Sequence, residues 1–201
     1  MKTNKKLFTL LTVSLVALFA AAFTIPEPTS WTIDKTHSAI NFKVIHFFTP
    51  VNGEFREYES TIHFDPENLE ESMIDVKIMV SSIDTDNQRR NNHLQSGDFF
   101  NAEKYPHITF TSNSIRSTND DTFVAEGTLT IKDVSKDFSL PFKLLGIKDH
   151  PMRDGKLIAG MTSNFTLDRT EFDVGVGDWA SDAVVGDEVT VDLNLELNAD
   201  K

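Results

Sequence analysis

The sequence predicts an all-β, antiparallel fold that closes as an eight-stranded barrel, and three observations carry that expectation. Apolar and polar residues alternate with a period of two along eight or nine segments, as in strands with one buried and one wet face. No amphipathic helical period is long enough to cover a parallel sheet, which leaves antiparallel pairing. Several segments reach ten residues or more, and Gly127 and Gly160 fall inside strand patterns, where bends and bulges help a sheet curl closed. Periodicity alone would also admit a sandwich; strand length and the two interior glycines favour the barrel.

At the start of the chain, Lys2, Lys5 and Lys6 precede an apolar run over residues 7–23 that includes Ala20, Ala21 and Ala22 near its end. A basic start, an apolar middle and small residues at the end make a secretory signal. Residues 1–22 are therefore expected to be cleaved, leaving a periplasmic or secreted chain without a stable membrane anchor. The run only just reaches the roughly 17 residues of a spanning helix, Thr9, Thr12 and Ser14 weaken it, and no charged stop-transfer cluster follows. Residues 23–30, with Pro26 and Pro28, read as an extended leader into one domain over 31–198.

Along that domain, Ile40, Phe42 and Val44 share one parity against Asn41 and Lys43, and a strand is expected over 55–64. Ile74, Val76, Ile78 and Val80 alternate with Asp75 and Lys77, and 108–115 follows as another strand. Phe123, Ala125, Gly127, Leu129 and Ile131 then alternate with Glu126, Thr128 and Thr130, and Phe138, Leu140, Phe142 and Leu144 with Asp137, Ser139 and Lys143. Residues 157–167 and 189–197 complete the series. Turn-forming residues separate these runs at 49–53, 65–68, 117–121 and 149–155. The one helical candidate is 84–94, capped by Asp84 or Asp86 and stopped at Ser96 and Gly97. A second short turn is expected to start at Asp98 and to end before Pro106.

Composition removes whole classes of function. The 201 residues include no cysteine, so disulfides, thiolate metal sites and Cys nucleophiles are excluded. With 31 acidic against 19 basic side chains the net charge is -12; loss of the three signal lysines leaves 16 basic side chains and -15. Such a surface repels nucleic acid and anionic membranes. Sixteen of the aromatics are Phe, against two Tyr and two Trp, which places weight on large side chains without a polar handle.

From Trp31 the chain reads WTIDKTHSAINFKVIHF, then VNGEFREY, SSIDTDNQRRNNHLQSGDFFNAEKYPHITFTSNSI, EGTLTIKDVSKDFSLPF and VGDEVTVDLNLEL. These stretches resemble the YceI-like family of exported polyisoprenoid-binding proteins across essentially the whole domain. The most specific part is 83–110, where Arg90, His93, Leu94, Ser96, Asp98, Phe99, Phe100, Tyr105, Pro106, Ile108 and Phe110 fall at the family's spacing. The resemblance implies a lipocalin-like, eight-stranded barrel with an apolar tunnel for a long isoprenoid or similar lipid, and no catalytic residue. Two positions depart from the pattern. Asp133 stands where relatives commonly have Gly in a turn, and Asp tolerates a left-handed backbone; Asn91 stands where an acidic residue commonly follows Arg90, removing a possible ionic partner for that Arg.

The expected site follows from strand parity within a closed barrel. Phe42, Val44, Phe64, Ile74, Ile78, Phe110, Leu129, Phe142 and Phe165 would point at the axis and line the tunnel, with Ala39, Ala125, Gly127 and Ala159 leaving room opposite the rings. Arg90, His93 and Arg169 are candidates for a polar ligand end; Phe99 and Phe100 would plug a corner. Of the six histidines none has a metal-ligand spacing, and Asp84, Asp86 and Asn87 fail as a calcium loop because Arg89 stands where Gly is needed. No metal and no cofactor beyond the bound lipid is expected. Asp168 with Glu171 and Asp173 could in principle do acid–base work, which keeps a lipid-modifying enzyme as one alternative; a barrel filled solid by its Phe side chains, serving as an interaction module, is another. Burying about ten CH2 groups at roughly 0.8 kcal/mol each yields about 8 kcal/mol before ordering costs, near micromolar affinity. The expected function is storage or transport of a long apolar chain by a monomer or homodimer.

Overall fold

The computed structural model describes residues 27–201; the expected signal and the first part of the leader lie outside the described residues. Strand segments run β1 (Ser30–Ile33), β2 (Ala39–His46), β3 (Thr49–Phe55), β4 (Tyr58–His63), β5 (Met73–Met79), β6 (Ile83–Asp84), β7 (His107–Asn119), β8 (Thr122–Ile131), β9 (Val134–Asp149), β10 (Lys156–Asp168) and β11 (Val185–Asp200). One helix, α1 (Gln88–Leu94), lies between β6 and β7.

These eleven segments fill eight positions in one closed antiparallel ring. β1 and β2 form a single kinked strand, as do β3 with β4 and β5 with β6. The pairings show this: Trp31 faces Ile62 and Ile40 faces Phe55, while Tyr58 faces Ile78 and Phe55 faces Ile83. Each later strand pairs with its predecessor, and β11 pairs with β10 on one edge and with β1 and β2 on the other. The first kink has a local cause: Asp34 accepts the Thr36 N–H at 2.9 Å in an Asx turn. The third is the 3-10 turn Val80–Ser82. Gly127 and Gly160 both sit at bulges, as expected. Gly127 faces Ser112 next to a register shift, where a Cβ would collide with the Thr111 carbonyl oxygen. The β9–β10 register shifts at Gly160, leaving Leu145 as the extra residue.

Several local expectations change. Ser30, expected to end the leader, is the first residue of β1. The expected turn over 49–53 is strand, because the β2–β3 turn needs only Phe47 and Phe48, with Phe47 at φ 53°. The expected strand over 55–64 is broken between Phe55 and Tyr58. The helix is capped by Asn87, whose side chain accepts the Arg90 N–H at 3.0 Å. Asp84 instead accepts the Asp86 N–H at 2.9 Å and an Asn91 amide N–H at 3.1 Å. In the β8–β9 turn the left-handed residue is Lys132, at φ 58°; Asp133 accepts the Tyr105 hydroxyl at 2.6 Å.

The ends of the barrel close differently. At one end, Phe64, Phe123 and Phe142 form a triangle with ring centroids 5.2–5.4 Å apart. Edge-on and offset rings at such spacing gain about 0.5–1.5 kcal/mol per pair beyond burial. The other end is covered by residues 85–106 and 169–184. The Val176 N–H donates to the Asp98 carbonyl at 2.8 Å, and His93 packs edge-on against Phe99 and Trp179. Among the described residues no helix is long and apolar enough to cross a membrane.

Candidate binding cavity

Alternate residues from all eight ring positions point inward, and between the two ends they leave a cavity of about 230 Å³ whose wall is apolar apart from Asn41, Thr162, Ser163 and Arg169. Phe42, Val44, Ile74, Ile78, Phe110, Leu129, Phe142 and Phe165 line it. Phe64 does not; it is fully buried in the aromatic triangle, where only the inward face of Phe142 reaches the void. Ala39, Gly127, Ala125 and Ala159 do not line it either, and the space opens instead beside Val76, Val191 and Leu193. Leu94, Phe99 and Phe100 extend the wall from the 85–106 connection, and Phe172 and Val174 from the 169–184 connection. The last two escape a reading by strand parity because they lie in an acidic loop; their spacing of two residues is the signal available.

The three candidate polar groups are held by the chain itself. Arg169 is buried, with 5 % of its surface exposed, and is the only charged residue in the wall. Its guanidinium donates to the carbonyls of Gly186 (2.9 Å), Val174 (2.7 Å) and Val185 (2.7 Å) and to Asp187 (3.1 Å). A fork of fixed donors suits this convergence of carbonyls. Gly175, at φ +92°, lies so close to Arg169 Nη1 that a Cβ would overlap it. Arg90 donates through Nε to the Thr85 hydroxyl at 2.8 Å and through Nη2 to the Thr85 carbonyl at 2.6 Å. Asn91 is no partner of Arg90; its Oδ1 accepts the backbone N–H and hydroxyl of Thr85. His93 Nε2 lies 2.9 Å from Asp98 Oδ2.

Of the carboxylates weighed for acid–base work, those of Asp168 and Glu171 have structural partners, and Asp173 is engaged through its backbone. Asp168 caps the 3-10 turn Arg169–Phe172; hydrogen bonds from the Thr170 hydroxyl and N–H, at 2.5 and 2.8 Å, hold its carboxyl below the ordinary range. Glu171 pairs with Lys136 at 3.0 Å, and the Asp173 carbonyl accepts from Lys132. Away from the cavity, Asp34, His37 and Glu196 converge so that their candidate ligand atoms lie within 4.8 Å of one another. Sequence spacing hides this group because Glu196 comes from β11; the Asx turn and the 3.0 Å contact of His37 with Asp34 account for its geometry.

The YceI-like domain family matches residues 31–197. Protein YceI of Escherichia coli is 38% identical over 122 residues, which cover 59% of this chain and 63% of that protein. The crystal structure of the Campylobacter jejuni YCEI protein superposes with a TM-score of 0.64 at 36% identity, over 85% of this chain and 96% of the other. A polyisoprenoid binding domain from Saccharophagus degradans superposes with a TM-score of 0.62 over 85% of this chain and 99% of that domain, and at 14% identity shares the fold.

Proposed function

Because the chain belongs to the YceI-like domain family, we propose that it is an exported binding protein that holds one long apolar chain within the barrel for storage or transport. The chain would be a polyisoprenoid, an isoprenoid quinone tail or a fatty-acid-like chain, held without chemistry. The observation that carries this reading is the cavity within the barrel, whose wall is almost entirely apolar. An empty apolar void forfeits dispersion contacts and lowers stability, and a chain that fills it restores them. A water-sized group takes up about 30 Å³ in the liquid, so 230 Å³ holds on the order of eight methylene-sized groups, or roughly one to two prenyl units of a longer chain. The S. degradans domain, described as polyisoprenoid binding, supports the same ligand class.

The self-satisfied cations sharpen the proposal. Arg90, His93 and Arg169 all have partners within the protein, so affinity comes from the tail, and a polar end contributes only as far as it stays hydrated. Lipid released from protein purified out of its own host and identified by mass spectrometry tests the reading. Geranylgeraniol uptake by the emptied protein is the expected companion result. A protein that is consistently empty and also refuses geranylgeraniol would sink it.

A further inference from the structure

The ladder of the barrel ring has a long gap on the seam between β9 and β10. Pairing of these strands runs from Leu157 with Asp149 to Thr162 with Lys143 and stops. From Ser163 to Asp168, β10 continues to pair with β11 but has no ladder partner on β9. The sequence supplies a reason. Ser163 Oγ donates to the Pro141 carbonyl, so the backbone polar groups of residue 141 face β10, and there proline lacks the N–H that a ladder needs. The Leu145 bulge displaces β9 just before that point.

Side chains hold the seam where the backbone does not. Beyond the Ser163–Pro141 bond, the Phe138 and Phe165 rings meet with centroids 5.2 Å apart at 58°. Lys136 bridges to Glu171 at 3.0 Å and lies 5.7 Å above the Phe172 ring. Phe138 and Phe165 both line the cavity, so turning these rings aside connects the void directly to solvent. The routes beside it cost more. The aromatic triangle and the interlocked connections close the two ends, and parting β10 from β11 would break a ladder of thirteen residue pairs.

We infer that the seam between β9 and β10 is a lateral portal, gated by Phe138 and Phe165, through which the apolar chain enters and leaves. The inference rests on the carrier reading above. It makes the rate of exchange a property of one seam, while affinity belongs to the whole cavity.

The absence of native cysteine makes the test clean. Extending the register beyond Thr162 and Lys143 places Thr166 beside Ser139, both exposed. The variant Ser139→Cys with Thr166→Cys, closed by oxidation or by a short bis-thiol reagent and verified by mass, locks the seam. The control Thr166→Cys with Thr190→Cys links the same β10 position to its ladder partner on β11. Stopped-flow uptake of anilinogeraniol, a fluorescent prenyl alcohol, is expected to slow at least tenfold in the locked seam variant. The control stays within twofold of the unmodified protein, and Phe138→Ala speeds both uptake and release. A locked seam that loads at the unmodified rate, or a Phe138→Ala variant with unchanged rates, overturns the portal. Failure of the unmodified protein to bind the probe at equilibrium overturns the carrier reading instead, a result distinct from an unchanged rate.

Discussion

Trp31 donates its indole N–H to the carbonyl of Phe64 at 2.9 Å, tying the first strand of the ring to the aromatic triangle that seals one end. Trp31 retains only 3 % exposure and Phe64 none, so the bond is shielded from water. Trp31→Phe keeps most of the apolar contact and leaves that carbonyl unpaired, at an expected cost of about 1–3 kcal/mol. Phe64→Ala opens a cavity within the triangle and should cost about 3–5 kcal/mol. Chemical denaturation with an unchanged m-value measures both; a neutral Phe64→Ala would contradict the sealing role.

Arg169 offers a second stability test. Arg169→Met removes four donated hydrogen bonds from a buried site and leaves the carbonyls of Val174, Val185 and Gly186 without that donor. A loss of about 3–5 kcal/mol is expected, in the range of broken buried charge networks. Arg169→Lys cannot reproduce the fork and should recover less than half of it. Gly175→Ala should destabilise as well, since its left-handed backbone and the adjacent guanidinium both oppose a Cβ. Thermal unfolding of the three variants orders them; wild-type melting of Arg169→Met would refute the staple.

Filling the void should separate binding from folding. Val76 lines the cavity on β5, and Val76→Phe occupies space rather than displacing packed atoms, so its overpacking cost should fall at or below the usual 1–3 kcal/mol. Affinity for geranylgeraniol is expected to drop at least tenfold, read by fluorescence displacement. Undiminished affinity would mean that the chain binds elsewhere.

The Asp34–His37 pair should imprint a pH dependence. The hydrogen bond with Asp34, followed by the charges of Asp34 and Glu196, raises the His37 pKa above 6.5. The same contact with His37, followed by the Thr36 N–H, lowers Asp34 below 3.8. The His37 contribution is complete below its unfolded value and fades as pH rises through the raised folded one; that of Asp34 is complete above 3.8 and fades as pH falls through the lowered one. The melting-temperature difference between wild type and His37→Gln should therefore be largest between 3.8 and 6.5 and shrink as pH rises through the raised His37 value. A difference that grows with rising pH would contradict the assignment.

Strand parity made the barrel and most of its lining legible, because inward residues such as Ile74, Val76 and Ile78 repeat every second position and a closed sheet gives all of them the same destination. It failed where the backbone leaves its period. Phe64 has the parity of a lining residue, yet it lies just beyond β4 and packs into the end seal. The turn at Phe47 and Phe48 was obscured by the Pro50 and Gly53 that follow, which β3 accommodates. Arg169 was visible as a rare cation, but its partners are backbone carbonyls, which carry no side-chain signature. The seam was half legible: Pro141 announces a missing donor, while only the three-dimensional pairing shows which neighbour goes without it.

The closure of the ring by β11 has a consequence for how the molecule is made. Every other strand position pairs with its immediate predecessor in sequence, so hairpins can form and extend one by one with short loops to close. The ring shuts only when β11 reaches β1 and β2, the most sequence-distant pairing in the ring. Until then the assembly is an open curl with two raw edges and its phenylalanine-rich face bare to solvent, the condition in which edge strands recruit strangers. A chain cut before Val185, and so without the sixteen residues of β11, would remain in that condition, and aggregation rather than weak binding would be its phenotype.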